Sequence, residues 1–204
     1  MRSLSGYGRR SAIRDVMNTK KKLLIRGGSI PAGYGVRRTY VDILRDTIAA
    51  LEIVNRSRIK DTSFQGVWSF QEDIDIHRPD ILMLHFGIDD AYQPVYRSEF
   101  KENLVQIVRL ARKRFDPEII LLTSHPFENP YDMEMIYIYY RTIREVAVDL
   151  NCDLVPVHVF WSGIIEENGE SLSGYLQEDC RYPNERGHGL YAEAVVNKLK
   201  EKMF

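Results

Sequence analysis

The chain has 204 residues, 44% of them hydrophobic and 28% charged, with a formal net charge of −1. That length suits one domain large enough to bury a core, and the near-neutral charge gives no ground for expecting attraction to nucleic acid or to an anionic membrane. Cys152 and Cys180 form neither a metal-ligand spacing nor a disulfide framework, so both are expected as free thiols in a reducing compartment.

Residues 1–20 read as a basic extension, with Arg2, Arg9, Arg10 and Arg14 ahead of the Lys20-Lys21-Lys22 run. They lack the apolar stretch of a signal peptide, and no segment approaches the ~18 apolar residues of a membrane span. The expectation is a cytoplasmic protein with a solvated arm over 1–20 and one domain over 21–204. Binding of an acidic partner by the arm is the second reading of that segment.

Strand and helix patterns then alternate about five times. Lys22–Arg26 is a short apolar run closed by Gly27-Gly28, read as a buried strand. Arg37–Leu51 places Tyr40, Val41, Leu44, Ile48 and Leu51 at helical spacing. Glu52–Asn55 reads as a second strand. Residues 56–79 read as loop, with a short helical piece near Ser69–His77. Asp80–Phe86 is a third strand, bounded by Pro79 and Gly87. Ser98–Arg114 follows as a helix with Ser98 as its expected N-cap. Glu118–Thr123 is a fourth strand, Met133–Leu150 a helix and Asp153–Val157 a fifth strand. Residues 161–186 read as irregular, and Gly187–Met203 as the last helix.

Apolar runs without alternation indicate strands covered on both faces, hence a parallel sheet. Helices between them indicate right-handed crossovers and a three-layer α/β/α domain. Ligand sites in such sheets lie beyond the carboxyl ends of the strands. That rule selects residues 27–35, 60–66, 87–92, 124–129 and the loop before the last helix.

Four of these segments carry a resemblance. Gly27-Gly28-Ser29-Ile30 follows the first strand, and Asn55–Ser63 follows the second. Gly87-Ile88-Asp89-Asp90 follows the third strand, and the run from Asp179 through Tyr182-Pro183-Asn184 to Gly187-His188 precedes the last helix. In this order the segments resemble the blocks of the SGNH (GDSL-like) hydrolase family. The resemblance implies a flavodoxin-like, five-stranded parallel sheet of order 2-1-3-4-5 and an esterase or carbohydrate O-acetyl esterase activity on a small ester. It implies Ser29 as nucleophile, Asp179 as the catalytic aspartate, and Lys60, with Gly66 as the alternative, at the oxyanion glycine.

Besides Lys60 at the glycine position, the sequence departs from the family at three further positions. Tyr182 stands where the family has its catalytic histidine, Asp89 where it has the oxyanion asparagine, and Gly28 where it has the aspartate before the serine. A phenol with a pKa near ~10 is a poor base at neutral pH. An ionised Asp89 repels an oxyanion, and donates to one only if its pKa is raised. His125, at the end of the fourth strand, is the expected substitute base. His85 reads as a core histidine and His188 as a packing residue.

No cofactor is expected, since there is no His-x-His, His-Glu-x-x-His or Cys-x-x-Cys, and Asp89, Asp90 and Asp179 alone do not argue for a metal. The Gly27–Gly35 segment lacks the ending of a P-loop. Tyr137 and Tyr139 are expected to lie outward on the 133–150 helix, while Trp161 and Tyr175 are expected in the core. Two other functional readings stay open. One is a catalytically impaired protein that binds a carbohydrate or acyl ligand in the same cleft. The other is a partner-binding module built on the basic arm and the tyrosine-rich helix. The oligomeric state is not legible.

Overall fold

The computed structural model describes residues 20–93 and 95–203, so the expectations for the basic arm lie outside the described residues. Five parallel strands form one sheet in the order β2-β1-β3-β4-β5. They are β1 (Lys21–Gly27), β2 (Leu51–Asn55), β3 (Ile81–His85), β4 (Glu118–Leu122) and β5 (Asp153–Val155). Register runs through Leu24 opposite Val54 on one side and Leu82 on the other. Leu23, Leu24 and Ile25 of β1, Leu82 and Met83 of β3, and Ile120 and Leu122 of β4 are fully buried. Burial on both faces is why these strands read as unbroken apolar runs.

The helices are α1 (Ser29–Ala32), α2 (Tyr40–Thr47), α3 (Ser63–Trp68), α4 (Ile88–Tyr92), α5 (Arg97–Arg114), α6 (Pro130–Asp149), α7 (Val157–Asn168) and α8 (Glu185–Met203). The chain steps outward from β1 to β2 through α2, and in the opposite direction from β3 to β5 through α5 and α6. Right-handed crossovers in opposite directions place their helices on opposite faces. Accordingly α3, α5 and α6 pack in series on one face, and α2, α8 and α7 pack on the other.

The elements differ from the sequence reading mostly at their ends. Helix α2 begins at Tyr40 because Thr39 and Asp42 form a capping box, and it stops at Thr47 because Leu51 pairs with Lys21 as the start of β2. Helix α5 is preceded by Tyr96, so Ser98 lies in its first turn and is not its cap. Helix α6 starts three residues early, where Asn129 accepts from the amides of Tyr131 and Asp132 and Pro130 fills the first turn. The helical piece expected near Ser69–His77 is a π-turn over Gln71–Asp75.

Four helices lie outside the helical segments expected from the sequence: the single turns α1 and α4, within the expected strand-end loops, and the longer α3 and α7. Helix α3 opens with a Thr62–Gln65 capping box inside what reads as loop. Helix α7 runs to Gly169, whose φ of 63° closes it, through residues expected to be strand and irregular chain. Its apolar residues crowd one short stretch, which resembles a strand when read alone. Trp161 and Tyr175 are buried as expected, but Tyr139 is not outward. It donates to the carbonyls of Asp90 (3.2 Å) and Val95 (2.6 Å), pinning α4 to α6. Tyr137 is half exposed and, with Tyr140, Arg141 and Arg144, lines a cavity of about 330 Å³.

Gly66 belongs to the packing of α3, not to the site. Its amide donates to the Thr62 carbonyl at 3.2 Å. A Cβ there would stand 2.7 Å from Phe86 Cζ and 3.0 Å from Ile107 Cδ1. Overpacking of this kind costs about 1–3 kcal/mol, against less than ~1 kcal/mol of gained helix propensity. Gly66→Ala is therefore expected to cost about 1–2 kcal/mol of stability, read as a lower urea midpoint at unchanged m-value; an unchanged or raised midpoint refutes this account of the glycine.

Candidate active site

The ends of β1, β2 and β3 bring three loops together at one edge of the sheet. Gly28 turns the chain out of β1 with its amide on the His85 carbonyl (3.3 Å), and Ser29 opens the single turn of α1. Its side chain is fully buried. The Ser29 hydroxyl donates to Asp89 Oδ1 at 2.6 Å, and the Ser29 amide donates to Asp89 Oδ2, also at 2.6 Å. The Lys60 amide donates to Ser29 Oγ at 2.9 Å. Ser29, Lys60 and Asp89, 31 and 60 positions apart, thus meet as the sequence reading expects.

Lys60 has a φ of 65°. That left-handed conformation suits glycine, the residue the resemblance implies at this position, and it turns the Lys60 amide toward Ser29. The side chain is exposed, and the carbonyl is held by Gln93 Nε2 at 2.7 Å. Only the backbone of Lys60 serves the site.

Helix α4 supplies the opposite wall. Gly87, with a φ of 124°, starts it in a conformation that a side chain rarely adopts. Asp90 binds the framework: it accepts from the Gly87 amide (3.0 Å) and from the amide and hydroxyl of Ser63 (2.8 and 2.6 Å). Asn103 holds the same Ser63 hydroxyl at 3.0 Å. Burial pushes the Asp90 carboxyl up to about 6 despite these donors. Its neighbour Asp89 is left to face Ser29. Burial raises the Asp89 carboxyl, and the charge of Asp61 adds to that, against the hydrogen bonds from Ser29 and Tyr182.

Gly28 makes the Asp89 position sterically available. A Cβ at residue 28 would overlap Asp89 Oδ2 and stand 2.5 Å from the Asp61 carbonyl. The family's aspartate before the serine and this placement of Asp89 are therefore incompatible, so the two departures go together. Tyr182 completes the set, with its hydroxyl 3.3 Å from Asp89 Oδ1 and its ring against Tyr34 at 4.7 Å between centroids. Burial first, and then the Asp89 charge, raise the phenol well above its ordinary value, so it stays protonated as a donor.

Two expected site residues take other places. Asp179 is exposed and shapes its turn, accepting from the amides of Arg181 (3.0 Å) and Tyr182 (3.4 Å). With a phenol in place of an imidazole, it has no ring nitrogen to orient. His125 does not reach Ser29; no hydrogen bond joins them among the described residues. Its Nδ1 and its amide are both on the Tyr191 hydroxyl (2.9 and 2.8 Å), and its ring lies between Phe127 and Trp161. Full burial pulls its pKa down to about 3. A strand-end histidine surrounded by aromatic rings is a core residue.

His85 and His188 are core residues too, as expected. Tyr40 bridges them, with its hydroxyl 3.2 Å from His85 Nδ1 and its amide donating to His188 Nδ1 at 3.0 Å. His158 lies on α7, with its Nδ1 2.8 Å from the Thr123 hydroxyl. Among the described residues no three His, Cys, Asp or Glu side chains group as metal ligands.

A charged network beneath the site escaped the sequence reading. Arg26, fully buried at the end of β1, donates to the Gly27 carbonyl (2.8 Å), Asp61 Oδ2 (2.5 Å) and Ser69 Oγ (3.1 Å). Its Nε lies 3.2 Å from Asp73 Oδ2. Asp73, also fully buried, binds Arg58 through both oxygens (2.5 and 2.7 Å) and Arg56 at 3.1 Å. The network clamps both ends of the segment that presents Lys60. A signal was available: Arg26 interrupts an apolar run in a strand buried on both faces, and a charge there requires partners.

Comparison with known proteins identifies the family and the fold. The GDSL-like Lipase/Acylhydrolase family matches residues 26–190. An arylesterase of Vibrio mimicus is 20% identical over 185 residues, which is 88% of each chain. The structure of Axe2, an acetylxylan esterase from Geobacillus stearothermophilus, superposes with a TM-score of 0.75 at 22% identity, covering 87% of this chain and 93% of that one. A lipase/acylhydrolase from Enterococcus faecalis superposes with a TM-score of 0.76 at 22% identity, covering 89% and 96%.

Proposed function

Because the chain belongs to the GDSL-like lipase/acylhydrolase family, we propose that it is an ester hydrolase that cleaves small esters with Ser29 as nucleophile. One observation carries the reading: the Ser29 hydroxyl is held between a backbone N–H donor, Lys60, and a proton acceptor, Asp89. The acceptor can take the proton of the attacking hydroxyl, and the Lys60 N–H, here on Oγ, is a backbone donor beside the place where the substrate's tetrahedral oxygen would form. The Ser29 and Lys60 amides are the donors available to the tetrahedral oxygen.

Relatives that act on aryl esters and acetylated xylan support a small acyl group, acetyl above all, on an aromatic or sugar alcohol. Ser29 has no exposed surface, so entry of an ester requires the groups that cover it to move. Tyr182, whose hydroxyl reaches Asp89 beside Ser29, and Tyr34 packed on it offer aromatic faces that suit either leaving group.

The test is labelling with a fluorophosphonate, read by intact mass, alongside hydrolysis of p-nitrophenyl acetate. Wild type is expected to gain one adduct and to turn over ester, and Ser29→Ala to do neither. A second reading, a silent member that binds an acylated sugar, is favoured by one contact: Asp89 Oδ2 occupies the Ser29 amide that an oxyanion needs. Unlabelled, folded wild type that binds acetylated xylooligosaccharide equally well with and without Ser29→Ala would establish that reading instead.

A further inference from the structure

We propose that Asp89 is the proton acceptor and donor for Ser29, taking over the task that the family gives to a histidine. The inference rests on Ser29 being the nucleophile. It starts from the only proton acceptor that the described residues place on the Ser29 hydroxyl, Asp89 Oδ1 at 2.6 Å. Three of the departures from the family, Gly28, Asp89 and Tyr182, form one arrangement around that contact. Gly28 leaves room for the carboxylate. Asp89 is the carboxylate. Tyr182, in the histidine's place, donates its hydroxyl to the same oxygen. A phenol that donates to the base steadies it without competing for the proton.

The chemistry balances. As Ser29 Oγ forms a bond to the acyl carbon, its proton passes to Asp89 Oδ1 and the carbonyl π-electrons move onto oxygen. Neutralising Asp89 weakens the hold of Oδ2 on the Ser29 amide, so that amide can pass to the stronger acceptor, the oxyanion, beside the Lys60 amide. The tetrahedral oxygen then re-forms the carbonyl, the C–O bond to the alcohol breaks, and the leaving alkoxide takes the proton from Asp89. In the second half a water attacks the acyl-serine, Asp89 takes the water's proton, and the same proton returns to Ser29 as it leaves. No co-reactant other than water is needed. One residue thereby alternates between base and neutral acid, and its neutral form resembles the asparagine amide that the family holds at this position.

The surroundings suit such a base. Asp89 faces Ser29 from α1, Tyr182 from the loop before α8 and Asp61 from the β2–α3 loop, with Asp90 beside it on α4 and bound to Ser63. Burial and the Asp61 charge raise its proton affinity, and a stronger base takes the serine proton more readily.

The deciding experiment is Asp89→Asn, assayed with p-nitrophenyl acetate and fluorophosphonate beside wild type and Ser29→Ala. The substitution keeps the shape and restores the family's amide, so an Asp89 that only blocks the oxyanion site predicts equal or faster turnover. A base predicts a fall in kcat/KM of about 10³-fold. Asp89→Asn with Tyr182→His is expected to regain at least about tenfold over Asp89→Asn alone, because it supplies an imidazole where the family has one. In wild type, the acid limb of kcat/KM is expected to stay at the same pH as temperature changes, as carboxylate ionisation does; a limb that moves down on warming belongs to a histidine and overturns the proposal. That measurement stands even if Asp89→Asn does not fold. Turnover by Asp89→Asn at or above the wild-type rate, with Ser29→Ala dead, overturns this inference alone. Equal rates for wild type and Ser29→Ala overturn the nucleophile reading as well.

Discussion

Asp73→Ala is expected to destabilise the protein by about 3–5 kcal/mol, the usual consequence of removing one partner from a buried ion pair. Asp73 has no exposed surface and is the common partner of Arg26, Arg56 and Arg58. Burial pushes its carboxyl up, but Arg58, Ser69 and Arg26 outweigh burial and hold it below the ordinary range. Without it, the fully buried Arg26 guanidinium keeps only Asp61 as a counter-charge. The cost arises from the orphaned cation and not from the worth of the pair. It follows that Arg26→Met with Asp73→Leu, which removes the two fully buried charges together, should cost less than Asp73→Ala alone. Urea unfolding of both variants checks the order, and a double variant weaker than the single one contradicts the argument. Because the network fixes the segment carrying Lys60, Asp73→Ala should also slow ester turnover in the fraction that stays folded.

Acid should weaken the fold well before ordinary carboxylates titrate. His85 and His125 are pulled down by burial to about 3, and His188 to about 4. Among the described residues their Nε2 atoms have no hydrogen-bond partner, and the charge of Asp42, which favours a protonated His188, is outweighed by burial. A histidine whose folded pKa lies below its unfolded value near ~6.5 contributes fully above that value. The contribution is then lost as pH falls from there toward the folded pKa. Between pH 7.5 and pH 5 each of the three costs about 2 kcal/mol by linkage.

Asp90 acts in the opposite sense. Its pKa of about 6 means that the folded state takes up a proton first, which returns about 1 kcal/mol over the same interval. Asp89, also raised, adds to that return. The net expectation is a loss on the order of 4 kcal/mol at pH 5, a large share of an ordinary domain's stability. Urea midpoints at the two pH values test it. Stability that stays level or rises on acidification would mean that the histidine cluster is hydrated or paired in solution.

The fold was legible because its signals are local. Leu23-Leu24-Ile25 and Ile81-Leu82-Met83-Leu84 announce strands covered on both faces, and Gly27-Gly28 and Gly87 mark where the chain must turn at their ends. Helix α7 was not legible, since twelve residues rich in Val, Ile, Phe and Trp look like strand and loop until they pack against α8. Helix α3 was missed because it is short and its capping box sits in a polar stretch.

At the site, the identities of Ser29, Lys60, Asp89 and Tyr182 follow from the order of the blocks along the chain, and so does the absence of a histidine at residue 182. What each residue does there depends on distances across the sheet. Asp89 reaches Ser29 because Gly28 has no Cβ. Asp179 only shapes a turn because a phenol offers it no ring N–H. His125 is excluded because Tyr191, Phe127 and Trp161 enclose it, although it lies at the expected edge. Sequence by itself determined the architecture and the meeting of Ser29, Lys60 and Asp89, since hydrophobic runs and backbone turns are properties of neighbours in the chain. Tertiary structure decided which of them share a proton, because hydrogen-bonding and desolvation act between groups far apart in sequence and a few ångströms apart in space.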